Sequence, residues 1–200
     1  MIIYQGTTGQ FITHVRENTI SDIMSQNWQQ RFGYPPRLPE LQSWQNSLPR
    51  VGDLVELAGL TDNMIALEYE VPYSQNMRID CLLFGTNGKE KHNILLIELK
   101  QWSSVQPLVD QGNFVETYVG GAARVVAHPS QQAKGYHDYL EGFLTEFENE
   151  PPLFLFSCAY CHNYSKQEGT GLFAPIYEEI IKDYPLYAKN DTRLLVFEPA

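Results

Sequence analysis

Cysteine is scarce in this 200-residue chain, cationic side chains are outnumbered, and long apolar runs are missing. Each shortage excludes something. Three cysteines are too few, and odd in number, for a disulfide framework. With no export signal they read as reduced thiols of a cytoplasmic protein. The opening "MIIYQGTTGQF" has no basic region and no long apolar run, so it is not a secretion signal. No stretch approaches the ~20 apolar residues that span a membrane. Fourteen Lys and Arg face 24 Asp and Glu, a formal charge of −10. That balance argues against loose electrostatic adhesion to nucleic acid or anionic membrane. It leaves room for a polynucleotide bound through metal ions and a few local cations. Internal repeats, low-complexity tracts and long charge blocks are also missing.

What remains is an ordinary globular composition. A chain of this length suits a single domain and buries roughly 70% of its unfolded surface. Residues 1–6 read as a short strand. From "TTGQF" to "RFG", Phe11, Ile12, Val15, Ile20, Ile23, Met24 and Trp28 recur near helical spacing. One helix is expected there, capped by Thr7 or Thr8 and ended by Gly33. "LQSWQNSLPRVGDLVELAGL" suggests one or two short helices, with Pro49 and Gly52 as interruptions. The helical part thus covers about 7–60.

A sheet core follows over about 64–160. "MIALEYEVPY", "MRIDCLLFG" and "ILLIELKQW" are three strands with short connections, an antiparallel meander. The first connection is "SQN" and the second an Asn87-Gly88 turn. A hairpin is expected around Gly120-Gly121. A helix from "HPSQQ" is capped by His128 or Ser130, with Tyr136, Tyr139, Leu140, Phe143 and Phe147 as its apolar stripe. "PPLFLFSCAY" is a further buried strand and "APIYEEIIKDY" a last helix. The order predicts an α/β (α+β) fold, a mixed sheet flanked by helices.

Two of these apolar strands carry ionisable groups in their middles. Strict alternation puts Arg78, Asp80 and Leu82 on one face, opposite Ile79, Cys81 and Leu83. It likewise groups Leu96, Glu98 and Lys100. Neighbouring strands lie ~5 Å apart, so Asp80 and Glu98 can share one divalent cation at Mg²⁺–oxygen distances of ~2.1 Å. Without a cation they repel, and one raises its pKa. Lys100 lies ~6.6 Å further along, within reach of a phosphate or an attacking water. Two carboxylates and a lysine are the parts that phosphodiester hydrolysis needs. The plainer alternative is a half-buried sheet with a Lys100–Asp80 salt bridge, since Asp…Glu-x-Lys is a common pattern. The apolar context favours chemistry, because an unpaired buried carboxylate costs several kcal/mol.

The arrangement resembles the PD-(D/E)XK nuclease superfamily, whose restriction-endonuclease-like fold carries an Asp on the second core strand and a Glu-x-Lys on the third. The matching residues are Asp80, Glu98 and Lys100. "QQAKGY" adds Gln132 and Tyr136 in the Gln-x-x-x-Tyr spacing of the RecB-like branch, one turn apart on a helix face. Taken alone, that pair reads as core packing of Tyr136 with Gln132 exposed. "IALEYEVP", "YVGGAARVVAHPSQQAKGY" and "CHNY" extend the likeness to the N-terminal region of large bacterial Schlafen-group-3-like proteins. Those continue into a helicase-like ATPase. No Walker A motif occurs among these residues, so the resemblance implies the nuclease-like part of a longer chain with a C-terminal motor. It implies Mg²⁺ or Mn²⁺ on Asp80 and Glu98, and a nucleic-acid partner, DNA before RNA. The rival is a nuclease-like module that only binds nucleic acid or protein.

A third acid is expected from Glu17, Glu68 or Glu70, with Glu68 preferred. Arg124 and His128 sit near a helix start suited to phosphate, though His128 reads better as a plain cap. "CAYCH" at 158–162 has haem-attachment spacing, and a zinc site would need Cys81 and His137 as well. Both are disfavoured, since Cys158 falls in a buried strand, where cysteine packs as a small hydrophobe.

Overall fold

A computed structural model describes residues 1–74, 77–86, 91–143, 147 and 153–191. The Gln75-Asn76 connection and the Asn87-Gly88 turn lie outside the described residues. Strand β1 (Tyr4–Thr7) leads into helices α1 (Thr8–Arg16), α2 (Ile20–Phe32) and α3 (Leu38–Leu57). Strands β2 (Met64–Glu70), β3 (Arg78–Thr86) and β4 (His92–Lys100) follow. Then come β5 (Val105–Pro107), β6 (Phe114–Val119), β7 (Ala122–Ala127) and α4 (Pro129–Phe143). The chain continues through β8 (Leu153–Cys161), α5 (Glu178–Asp183) and β9 (Leu186–Ala188).

The main sheet runs β1-β2-β3-β4-β8-β9, antiparallel from β1 to β4 and parallel from β4 onward. It is therefore mixed, with the expected meander at its centre. The expected hairpin is β6–β7, which joins β5 in a separate three-stranded sheet. One face of the main sheet packs Ile65, Leu67, Cys81, Leu83 and Ile97 against Phe11, Met24, Trp44 and Val51 of α1–α3. Another cluster joins Ala66, Leu82 and Leu96 to Tyr136 and Leu140 of α4. The small sheet adds Val105 and Val115 to Ala159 and Cys161 of β8. Among the described residues no helix is long and apolar enough to cross a membrane.

Three local expectations need correction. The first helix is two helices, because Asn18 turns left-handed at φ 57° between α1 and α2. Asn tolerates that region better than most residues. Thr7 caps α1 in a reciprocal box with Gln10, and Gly33 ends α2 at φ 77°, both as expected. Pro49 and Gly52 do not interrupt α3, which runs unbroken through 20 residues. Its buried stripe of Trp44, Leu48, Val51, Leu54 and Val55 carries it past the hydrogen bond that Pro49 lacks. The last helix begins as a 3₁₀ turn at Pro175–Tyr177 before α5.

A fourth correction positions the site. Strict alternation fails at matched places on β2 and β3. On β2, Ile65 and Leu67 join the α1–α3 cluster, yet Tyr69, and Val71 just past the strand's end, join the α4 cluster. On β3, Cys81 and Leu83 join the first, yet Ile79 joins the second. The phase resets at Glu68 and Asp80, which lie between the pairs Leu67↔Cys81 and Tyr69↔Ile79. Glu68 has φ 52°, a conformation that L-residues other than Gly adopt at a cost of about 1–2 kcal/mol. Arg78 therefore leaves the face of Leu82 and stacks over Trp28 of α2, 4.9 Å from its ring centre. Glycine at position 68 is expected to be more stable than alanine there by about 1 kcal/mol. Chemical denaturation of Glu68→Gly beside Glu68→Ala checks this.

Candidate metal centre

Asp80 and Glu98 are brought together. Cys81↔Ile97 and Leu82↔Leu96 are paired on β3 and β4, and Asp80 and Glu98 are the next residue on each strand. Asp80 accepts a hydrogen bond from the backbone N–H of Leu99, at 2.8 Å, which ties it to β4. Lys100 reaches back to Glu98, with Nζ 2.5 Å from Oε1. The ion pair is thus made with Glu98 rather than as a simple Lys100–Asp80 bridge. Glu68 completes a row of acids across β2, β3 and β4. Its two oxygens are held by the Trp44 indole N–H at 2.8 Å and by Arg78 at 2.6 Å.

These groups perturb one another. Burial first, then the charge of Asp80, pushes Glu98 up to about 8. The same two causes push Glu68 up to about 7. Burial also raises Asp80, against the pull of Lys100, the Leu99 N–H, Arg78 and a hydrogen bond with the Glu98 carboxyl. For Lys100, burial opposes the ammonium, but Glu98 and Asp80 outweigh it and hold the proton more tightly than usual. Three acids facing two cations retain protons that an unfolded chain would release.

That retention has a pH signature. A carboxyl whose folded pKa lies above its ordinary value of 4.5 stabilises the fold below that value and loses the contribution as pH rises through the folded value. Buried His128 and His162, both lowered by burial, oppose this only below their ordinary value of 6.5, and the α-ammonium of Met1, lowered mainly by burial, opposes it up to 8.0 as one group against two carboxyls. In EDTA the melting temperature is therefore expected to fall between pH 6.5 and 8. Glu68→Gln and Glu98→Gln should each flatten that slope, which differential scanning fluorimetry reads directly.

From the α4 side, Gln132 and Tyr136 form the expected pair, with Gln132 Nε2 donating to the Tyr136 hydroxyl at 3.0 Å. Tyr136 is buried. Burial first, then the charge of Glu98, pushes its phenol up to about 12. Gln132 reaches the acids through Tyr136 rather than directly.

The donor set can be tested for a metal on one atom. Among the described residues no N–H or hydroxyl donates to buried Glu98 Oε2, while Oε1 is taken by Lys100, and the only hydrogen bond left to the acid pair is a proton shared between the Glu98 and Asp80 carboxyls. A carboxyl oxygen with no donor of its own, beside a second carboxyl, fits a hard cation in place of that proton. Among the described residues no group of three or more His, Cys, Asp or Glu converges to hold a metal by itself. Mg²⁺ does not need one, since it is commonly held by one or two carboxylates, with waters and substrate phosphates. Lys100 lines a cleft of about 490 Å³ with Trp102, Ser103, Thr117 and Tyr118, which brings solvent to the site's edge.

Other candidates fall away from this centre. Glu17 is exposed at the end of α1. Arg124 is exposed on β7. His128 caps α4: its Nδ1 accepts from the Ser130 N–H at 3.2 Å, and its Nε2 faces the Leu172 carbonyl at 3.1 Å. Cys158 packs in the α1–α3 cluster and Cys161 in the cluster under the small sheet, so the two thiols of "CAYCH" do not converge. His162 bonds Ser47 at 3.1 Å and Asn163 at 3.2 Å, and His137 bonds Ser157 at 2.9 Å.

Sequence reasoning missed Arg78 and Trp44 as holders of Glu68. Arg78 was visible as the one cation in "MRIDCLLFG". Nothing in the pattern around Trp44 separates it from the helix's other core positions. The chain matches no family model, no curated protein and no solved structure.

Proposed function

We propose that this domain is a divalent-metal-dependent nuclease that hydrolyses phosphodiester bonds, of DNA before RNA. The carrying observation is a buried Glu98 oxygen that no N–H or hydroxyl of the described residues donates to, beside Asp80 and with a lysine on the same strand. Asp80 and Glu98 would hold Mg²⁺ or Mn²⁺. Such an ion polarises a phosphoryl oxygen and lowers the pKa of bound water. Lys100 keeps its proton at neutral pH, so it serves as an electrostatic stabiliser of developing negative charge and not as a base. Tyr136 likewise stays a phenol. Because Gln132 donates to its oxygen, the phenol's own proton is left for an acceptor at the site. Glu68, restrained by Trp44 and Arg78, acts on the acids through charge. The resemblance to helicase-linked proteins makes a nucleic-acid motor the natural coupled partner.

One observation favours a second reading, an inert nuclease-like module that binds nucleic acid or protein. Lys100 already places a cation on Glu98, which is what a metal would otherwise supply. The two readings separate on metal linkage. Specific binding stabilises the fold by RT ln(1 + [L]/Kd), about 2.7 kcal/mol at a hundredfold excess over Kd. Mn²⁺ is expected to raise the melting temperature of the wild type and leave Asp80→Asn unmoved. Equal behaviour of the two proteins favours the inert module. A cleavage assay on single- and double-stranded DNA and RNA with Mg²⁺ or Mn²⁺ tests the activity, and no cleavage of any of them opposes it.

A further inference from the structure

Glu68 borders a second space. It lies with Met1, Ile3, Glu70, Arg78, Trp28, Phe32 and Tyr34 around a cavity of about 200 Å³ on the α2 side of the sheet, and the α-ammonium of Met1 donates to the Glu70 carbonyl there. Three aromatic rings form a continuous run there. Trp28 and Phe32 have centres 4.6 Å apart, and Phe32 and Tyr34 5.9 Å, at 32° between planes. Tyr34 is 53% exposed although it is a large aromatic side chain. The volume is below the ~300–1,000 Å³ of sites that take drug-sized ligands, so the space suits one small ring system.

Charge narrows the occupant. An aromatic box beside carboxylates commonly receives an organic cation. Here the face of Trp28 already carries the Arg78 guanidinium, pinned by Glu68 at 2.6 Å. A second organic cation would meet that charge and the α-ammonium of Met1. An anion would meet Glu68 and Glu70. A flat, uncharged ring meets neither objection, and it can stack on Tyr34 and Phe32. Arg78 offers donors only and Glu70, when ionised, acceptors only, so a ring edge bearing both kinds of group is matched. Those are the properties of a nucleobase.

We propose that this aromatic box is a base pocket that takes one unstacked nucleobase of a single strand, next to the acid row. The placement rests on the nuclease reading for its purpose, since Glu68 belongs both to the box and to the row that continues to Asp80 and Glu98. Stacking is indifferent to base identity, so the box confers preference for single-stranded or frayed substrate rather than for sequence.

The test is a binding cycle, kept separate from cleavage. The probe is a fluorescent 12-nucleotide single-stranded DNA in EDTA, together with versions in which an abasic residue is walked along the strand. Removing one stacked base or its platform is expected to weaken binding about tenfold. Tyr34→Ala should weaken the intact strand by that amount. One abasic position should weaken the wild type equally and leave Tyr34→Ala unaffected. Independent, additive losses at every position, or no binding of the strand by the wild type, overturn the proposal. So does saturable choline binding that Tyr34→Ala abolishes, which would give the box to an organic cation. Cleavage by the wild type with no Tyr34–base coupling leaves the nuclease reading standing without the pocket. Coupling in binding with no cleavage under Mg²⁺ or Mn²⁺ leaves the pocket standing without the nuclease.

Discussion

Replacing Lys100 with alanine is expected to lower metal-dependent cleavage by about 10²–10³-fold while the domain stays folded. The magnitude is that of removing one preorganised group aimed at developing charge in a water-poor site. Lys100 meets both conditions, because its side chain is 16% exposed and its ammonium is paired with Glu98 and within the field of Asp80. The loss should fall on the rate at saturating substrate rather than on substrate affinity, since the charge it faces is greatest in the transition state. Arginine at 100 keeps the charge but spreads it over a planar fork, so it should rescue little. Single-turnover cleavage of a labelled DNA, with circular dichroism to confirm folding, checks the pair. Activity in Lys100→Ala within threefold of wild type would remove the lysine from the chemistry.

The second large effect is on stability. Glu98→Ala is expected to destabilise the fold by about 3 kcal/mol, at the low end of what removing one partner of a buried ion pair costs. The low end applies because Asp80 remains beside Lys100 as a counter-charge. Glu98→Gln should cost less, since the amide oxygen still accepts from the ammonium. For a chain of this size 3 kcal/mol corresponds to a melting point lower by roughly 6–12 °C. Urea denaturation should show the loss as a shifted midpoint with an unchanged slope. The same substitution removes a proposed metal ligand, so Mn²⁺ should no longer stabilise the variant.

The heart of this arrangement was legible before the fold. "MRIDCLLFG" and "ILLIELKQW" show apolar runs with ionisable residues at matched positions. The short connections between them make neighbouring antiparallel strands the simplest outcome. The β3–β4 register then draws Asp80 and Glu98 together. The Gln132–Tyr136 pair was legible for a similar reason, because one helical turn fixes their common face. What escaped was the break in alternation at Glu68 and Asp80. Period-two reasoning assumes an unbroken pleat, and nothing in "LEYE" or "RID" marks a left-handed Glu68. That one backbone choice sends Arg78 to Trp28 and Glu40 rather than to the face of Leu82. Pro49 misled in the opposite sense, because a strong buried stripe outweighs one missing hydrogen bond. The Gln101–Ser47–His162 contacts join residues 47 to 162, a separation that no local pattern reports.

A crystal of the domain soaked in Mn²⁺ and measured at the manganese absorption edge gives the most direct answer. An anomalous peak bridged by the carboxylates of Asp80 and Glu98 is the expected result, with Lys100 drawn off Glu98 Oε1. A map at saturating Mn²⁺ that is blank between those two side chains, with the Lys100–Glu98 pair intact, would contradict the metal centre and the chemistry proposed for it.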